Sequence, residues 1–424
     1  MATQATIELI PKQDSLKGVR VATVAWLLTS VYYFFQYALR SAPGVMMPQL
    51  TDAFGLSVLG VASIVGLFYY GYSPFSLVAG AAMDRFGPQR LLPLAACVVG
   101  VGALLFATGQ REVASVGRFL QGAGGVFALI GAIYIATKNF PASKAATLIG
   151  ATQMFGMAGG SAGQFVVGPL IGQGLSWNAF WIGMGVIGLL IGCTLYFLIP
   201  KEIQSQSHGG LKTTAAAFAT VFKNPQSILC GLIAGLLFVP TTIFDMVWGV
   251  RYLEARGVDY GTAVMRSATV PFGWIIGCPL LGLISDRLGR RKPVLIVSAV
   301  LLFNSMAWIL FGPANTLPPY VLGLFTGIVS GAAMLPYTII KEANPPQFGG
   351  TATGVVNFLN FTFSALLGPV FGWSLQQVSG GASELALPHF QRAFQPMLVG
   401  VLIAIVLCLF LKETGTAVRK EKQT

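Results

Sequence analysis

Between positions 293 and 312 the chain reads PVLIVSAVLLFNSMAWILFG, a run without one charged side chain. At a rise of about 1.5 Å per residue it makes a helix about 30 Å long, the thickness of a bilayer's hydrocarbon core. Windows of similar length cover 19–40, 58–80, 91–109, 114–137, 145–172, 177–199, 225–249, 262–284, 293–312, 319–340, 351–375 and 393–411. Lipid offers the backbone no hydrogen bonds, so each run must satisfy its own N–H and C=O groups, which a helix does. The charge a soluble surface needs is also missing. Asp, Glu, Lys and Arg make up 9% of the 424 residues, against about a quarter in ordinary soluble domains. The expectation is an all-α polytopic membrane protein with twelve transmembrane helices.

Loop charge sets the orientation. With the N-terminus in the cytoplasm, inside segments hold 19 of the 26 Lys and Arg residues, as the positive-inside rule asks. Both termini are then cytoplasmic, and a multi-pass protein of the cell inner membrane is expected. The formal charge of +12 reflects topology, and no nucleic-acid partner is expected. The first apolar run is too long for a signal-peptide core and has no small-residue cleavage site, so it should remain as the first helix. Cys97, Cys193, Cys230, Cys278 and Cys408 all fall in predicted spans and read as free, buried thiols. His208 and His389 fall in predicted loops, and no Cys/His cluster has metal-ligand spacing. There is no nucleotide-phosphate loop and no Gly-x-Ser-x-Gly elbow. No cofactor, metal or catalytic residue is expected, and the chain does not read as an enzyme.

The stretch 200–224 is the one sizeable polar connection inside the chain, and it separates six predicted helices from six. The units are 1–200 and 225–424, joined by a cytoplasmic linker at 201–224. They echo one another. GAAMDRFGPQR at 80–90 recurs as GLISDRLGRRK at 282–292, offset by 202. Tyr134-IAT-Lys138 recurs as Tyr337-TII-Lys341, offset by 203, and Thr147-LI-Gly150-AT-Gln153 as Thr351-AT-Gly354-VV-Asn357, offset by 204. Matches in one register indicate a duplicated six-helix unit, a plan used by transporters whose path lies between the halves.

The charged stretch resembles the G-x-x-x-D-R-x-G-x-x-R signature of the major facilitator superfamily. Gly80, Asp84, Arg85, Gly87 and Arg90 fit it, as do Gly282, Asp286, Arg287, Gly289 and Arg290. RFLQGAGG (Arg118, Gln121, Gly122) is similar to the family's helix-4 motif. The resemblance implies two pseudo-symmetric six-helix bundles working by alternating access, and a functional monomer is expected. It also implies that Asp84 docks near Thr351–Gly354 and Asp286 near Ala145–Thr147, forming a cytoplasmic gate with Arg85, Arg90, Arg287 and Arg290. Plain positive-inside anchoring is the other reading of the basic residues.

Cargo is argued from ionisable groups inside the spans, which are costly there. Arg40 shares a helical face with Tyr33, Gln36 and Tyr37; Arg118 lies in the fourth helix above Gln121 and Gly125; Asp245 lies in TTIFDMVWGV, a turn before Trp248. Two guanidiniums can hold a carboxylate or phosphate, and an acid in a partly dry site can exchange a proton near neutral pH. Together they suggest proton-coupled uptake of a small organic anion, with Asp245 as the proton carrier. Each has a structural reading too: snorkelling for the arginines, and pairing with Arg40, Arg251 or Arg266 for Asp245. LRSAPG at 39–44 resembles the anion:cation symporter branch, with Leu39 and Gly125 where that branch carries acids. Tyr33, Tyr37, Gln153, Asn357, Asn360 and Trp248 are expected to line the binding site, with Tyr69, Tyr72, Trp274, Ser330 and Tyr337 as further candidates. The alternative is a proton-coupled exporter of drug-like or metabolite cargo, since GPLIG at Gly168–Gly172 partly resembles the antiporter signature. A membrane receptor would need a sizeable soluble output segment, which the loops do not supply.

Overall fold

The computed structural model describes residues 12–199, 211–313, 318–380 and 385–417. The membrane helices are α1 (Lys12–Ser41), α2 (Val58–Phe86), α3 (Pro88–Phe106), α4 (Arg111–Asn139), α5 (Ala145–Gly172) and α6 (Trp177–Leu198) in the first half. The second half holds α7 (Pro225–Ala255), α8 (Tyr260–Leu288), α9 (Lys292–Phe311), α10 (Tyr320–Glu342), α11 (Gly349–Ser379) and α12 (Leu387–Phe410). No strand occurs among the described residues. By length and apolarity α2 to α12 can each cross a membrane. The 30-residue α1 is more polar, because it carries Thr29, Ser30, Tyr32, Tyr33, Gln36, Tyr37 and Arg40, all buried inside the protein.

Several helices run further than their apolar windows. α2 continues through Asp84 and Arg85 to Phe86, where Gly87 (φ 71°) ends it and Pro88 opens α3. α8 likewise continues to Leu288 and stops at Gly289 (φ 64°). Each charged stretch is therefore the last turn of a helix followed by one left-handed glycine, a conformation a Cβ would strain. Of the linker at 201–224, residues 201–210 lie outside the described residues, whereas Leu211–Lys223 form a helix. The thiols are free, but only Cys230, Cys278 and Cys408 are buried: Cys193 is exposed, and Cys97, whose sulfur lies against Gly192 of α6, is half-buried.

Two helix pairs make most of the contact between the halves, α2 with α11 and α5 with α8. Glycines allow these to touch backbone to backbone. A Cβ on Gly80 would lie 2.5 Å from the Gly350 carbonyl oxygen, and one on Gly150 would lie 2.2 Å from that of Cys278. Small-residue contacts of this kind are how membrane helices approach closely without a hydrophobic driving force. α7 departs from ideal geometry: Pro240–Trp248 is π-helical, beginning at a proline that has no N–H for the regular ladder.

Candidate functional site

Arg40 closes α1 at the junction of the halves, and only 6% of it is exposed. Its Nε and Nη2 donate to the Tyr69 hydroxyl at 3.3 and 3.1 Å. Its guanidinium carbon lies 4.7 Å from the ring centroids of Tyr37, Tyr69 and Phe361. Phe361 comes from α11, so residues of both halves enclose this cation, in the cation–π range. Arg40 Nη1 has no hydrogen-bond partner among the described residues. One turn earlier, Gln36 is fully buried with neither amide atom partnered among the described residues. A Cβ on Gly125 would lie 2.9 Å from Gln36 Oε1, so the Gln36 amide takes up room that a side chain at position 125 would need.

The uncharged candidates form two networks. Tyr33 donates to Gln153 Oε1 (2.8 Å), and Gln153 Nε2 donates to the Tyr37 hydroxyl (3.3 Å). In the second half Tyr337 donates to Asn357 Oδ1 (2.7 Å), while Asn360 Nδ2 donates to the Tyr337 hydroxyl (2.9 Å). Asn357 Nδ2 crosses between halves to Ser76 Oγ (2.8 Å). Asn360 Oδ1 is left without a partner among the described residues. Trp248, at the end of the π segment, is half-buried and stands apart from both networks, beside Gly372 of α11.

Arg118 is placed differently from Arg40. It is 1% exposed, and Nη1 donates to the Leu39 carbonyl (3.2 Å) and Gln121 Oε1 (2.6 Å), while Nη2 reaches the Val65 carbonyl (3.4 Å). Phe68 lies within cation–π range of both arginines, at 5.2 Å from Arg118 and 5.6 Å from Arg40. Arg118 thus braces the backbones of α1 and α2 against α4 through its two Nη groups, while its buried Nε has no partner among the described residues. Asp245 is not brought to the arginines either. It is 7% exposed and lines a cavity built from second-half residues. Of the expected trio, Arg40 alone sits between the halves with a free donor.

At the other end of the bundle the repeated acids meet helix starts. Asp84 accepts from the N–H groups of Gly350 (3.0 Å) and Thr351 (2.7 Å) and from the Thr351 hydroxyl (2.9 Å). Asp286 accepts from the N–H (2.9 Å) and hydroxyl (2.7 Å) of Thr147. Each carboxylate therefore sits on the positive end of a helix from the opposite half. Arg85, Arg90, Arg287 and Arg290 are exposed. The residue that pairs with Asp286 is Arg291, 1% exposed, through Nη1 at 2.6 Å. Arg291 also binds Glu342 (2.8 and 3.2 Å), and its N–H donates to Glu413 (2.7 Å). Burial alone would lower its affinity for a proton, but the Glu342 and Asp286 carboxylates more than offset that, and its guanidinium pKa lies above the ordinary value. A further cross-half bond runs from Lys341 Nζ to Thr137 Oγ1. Glu342, Glu413 and Phe361 were not singled out from the sequence. For Phe361 a signal existed, since it lies one helical turn after Asn357.

Residues 29–369 match the sequence family described as the Major Facilitator Superfamily. The chain belongs to the major facilitator superfamily. Similar curated proteins include the hexuronate transporter of Bacillus subtilis, 26% identical over 78% of this chain and 83% of that protein. The probable sulfoacetate transporter SauU of Cupriavidus necator is 24% identical over 81% and 85%. The chloramphenicol resistance protein CraA of Acinetobacter baumannii is 26% identical over 65% and 68%. Among solved structures, the superfamily transporter FucP in its outward conformation has the same fold, with a TM-score of 0.70 at 16% identity, covering 93% of this chain and 100% of that one. The chain is thus a multi-pass transporter of this superfamily.

Proposed function

We propose that this protein carries a small organic anion by alternating access, coupled to a proton, as a monomer of two six-helix units (1–200 and 225–424) in the cell inner membrane. The end that carries Asp84 and Asp286 is assigned to the cytoplasm. The observation that carries the cargo class is Arg40: a buried guanidinium between the halves, ringed by aromatics from both, with its Nη1 group unclaimed. With both Nη groups of Arg118 bound within the first half, Arg40 is the cation that meets the cargo in this reading, which favours a single carboxylate or sulfonate with hydroxyls matching Gln36 and Asn360. Hexuronate, a hydroxylated monocarboxylate, agrees with this reading, and sulfoacetate agrees with the anion class. A thermal-shift screen of the purified protein tests it. Monocarboxylates and sulfonates should raise the melting temperature, and stabilisation by cationic compounds alone overturns the anion class.

Asp84 and Asp286 act in this scheme as latches on the cytoplasmic side. Their bonds to Thr351 and Thr147 break when that side opens. Hydrogen bonds to a charged group are worth about 1.5–3 kcal/mol each, so Asp84→Asn or Asp286→Asn should raise the open population at least tenfold. A cysteine at Ala146 or Thr353, read with a water-soluble maleimide, reports this; unchanged labelling in both variants removes the latch role.

For coupling, Asp245 is the proposed proton carrier, acting at a distance from Arg40. In Asp245→Asn proteoliposomes a proton gradient should no longer drive anion accumulation, while exchange of anion across the membrane persists. Unaltered gradient-driven accumulation excludes Asp245 as carrier. The likeness to CraA favours a second reading, proton-coupled export of drug-like cargo, and the same thermal-shift screen separates the two.

A further inference from the structure

A cavity of about 500 Å3 lies within the second half, walled by α7, α8, α9 and α10 and by no residue of α1 to α6. Its deepest charged group is Asp245. Asp245 Oδ1 accepts from the Ser267 hydroxyl at 3.2 Å, and Oδ2 has no partner among the described residues. Nearer the opening stand Arg256 and Arg266, both half-buried, and the exposed Asp259. Arg256 Nη2 is bound to the Gly312 carbonyl (2.8 Å), whereas Arg266 Nε has no partner among the described residues. The Thr262 N–H (2.9 Å) holds the Asp259 carboxyl below the usual carboxylate range. Tyr252 and Trp308 supply aromatic wall.

A buried carboxylate oxygen without a donor is costly, and a cationic donor satisfies it best. A simple anion would be repelled by Asp245, and a simple cation would leave the buried Arg266 Nε without an acceptor, although Asp259 lies near enough to act on the same guanidinium. A molecule with an ammonium at one end and a carboxylate at the other satisfies both. The volume lies in the range of small-ligand pockets. We infer that this cavity is a binding site, separate from the Arg40 site, for a small zwitterion such as a free amino acid, with Asp245 taking the ammonium and Arg266 the carboxylate.

Helix α7 would transmit the occupancy. Thr241 and Asp245 line the cavity, whereas Thr242 meets Ser364 of α11 (3.0 Å), and a Cβ on Gly160 of α5 would lie 3.2 Å from Met246 Cε. A ligand seated on Asp245 thus bears on the π segment that touches the opposite half. The inference does not rest on the anion reading; if Asp245 also takes the coupling proton, ammonium and proton compete for it.

Isothermal titration of the purified full chain with each of the twenty free L-amino acids tests the site. At least one should bind saturably, and its deaminated acid and decarboxylated amine should each bind at least tenfold more weakly. Asp245→Asn and Arg266→Gln should each weaken binding at least tenfold, and Arg40→Gln should leave it unchanged. Absence of saturable binding across the wild-type series overturns the proposal. So does an amine that binds as tightly as its amino acid, or loss of binding in Arg40→Gln, which would place the ligand at the other site. The wild-type comparisons need no variant, so a misfolded variant leaves the test standing. Absence of anion uptake by the unaltered protein, alongside saturable amino-acid binding, would count against the cargo reading alone.

Discussion

Arg40→Gln is expected to lower kcat/KM for anion uptake by about two to three orders of magnitude. Truncating one partner of a buried charge pair costs about 2–5 kcal/mol, and every 1.4 kcal/mol is about tenfold. The loss should fall on binding, because the role proposed for this cation is to replace the water a carboxylate gives up. Arg40→Lys should recover part of the rate only, since an ammonium lacks the planar fork that reaches Tyr69 and stacks among Tyr37, Tyr69 and Phe361. Arg118→Gln should behave differently. It strips donors from the carbonyls of Leu39 and Val65, so it should lower stability more than affinity. Uptake of a radiolabelled carboxylate into proteoliposomes, with melting temperatures measured on the same preparations, separates the two. Uptake by Arg40→Gln within fivefold of the unaltered protein would remove Arg40 from the cargo site.

The second large effect is on stability. Arg291→Met should lower it by about 3–5 kcal/mol, the cost of stranding buried charges when their partner is removed. Asp286 and Glu342 would be left facing each other's neighbourhood without the guanidinium that now binds both. Removing Glu342 as well should restore part of the loss, because one stranded carboxylate goes with it. Detergent melting curves of Arg291→Met and of Arg291→Met with Glu342→Ala read this. A single variant that melts within a degree of the unaltered protein would show that the network contributes no stability.

Much of this architecture was legible because bilayer thickness imposes a run length that composition cannot hide, and because the repeat puts Asp84 and Asp286 in register. Gly80 and Gly282 were visible as motif positions, and their reason is now physical: Gly80 lies against Gly350, and a Cβ on Gly282 would lie 2.6 Å from the Ala146 carbonyl oxygen. Other features left no periodic trace. The π turn of α7 is made of residues that would sit equally well in an α-helix, so apolar spacing passes over it. Arg40 and Arg118 look alike in one dimension; their difference depends on whether a carbonyl of another helix lies within reach. Arg291 was hidden among three adjacent basic residues, of which it alone turns inward. Asp245 was read together with the arginines because it is a rare acid, but rarity says nothing about which face of a helix an acid occupies.

The glycine contacts between the halves carry a consequence for speed. Where Gly80 meets Gly350 and Gly150 meets Cys278, the meeting surfaces are largely bare main chain, which has no rotamers to freeze. Parting and rejoining these surfaces involves almost no sorting of side chains. In the alternating-access cycle proposed above, the friction would then be concentrated in side-chain fastenings between the halves, among them Asp84 with Thr351, Asp286 with Thr147 and Asn357 with Ser76. Turnover should respond steeply to a single methyl group added on those bare tracks, and hardly at all to apolar exchanges on the lipid-facing sides of the same helices.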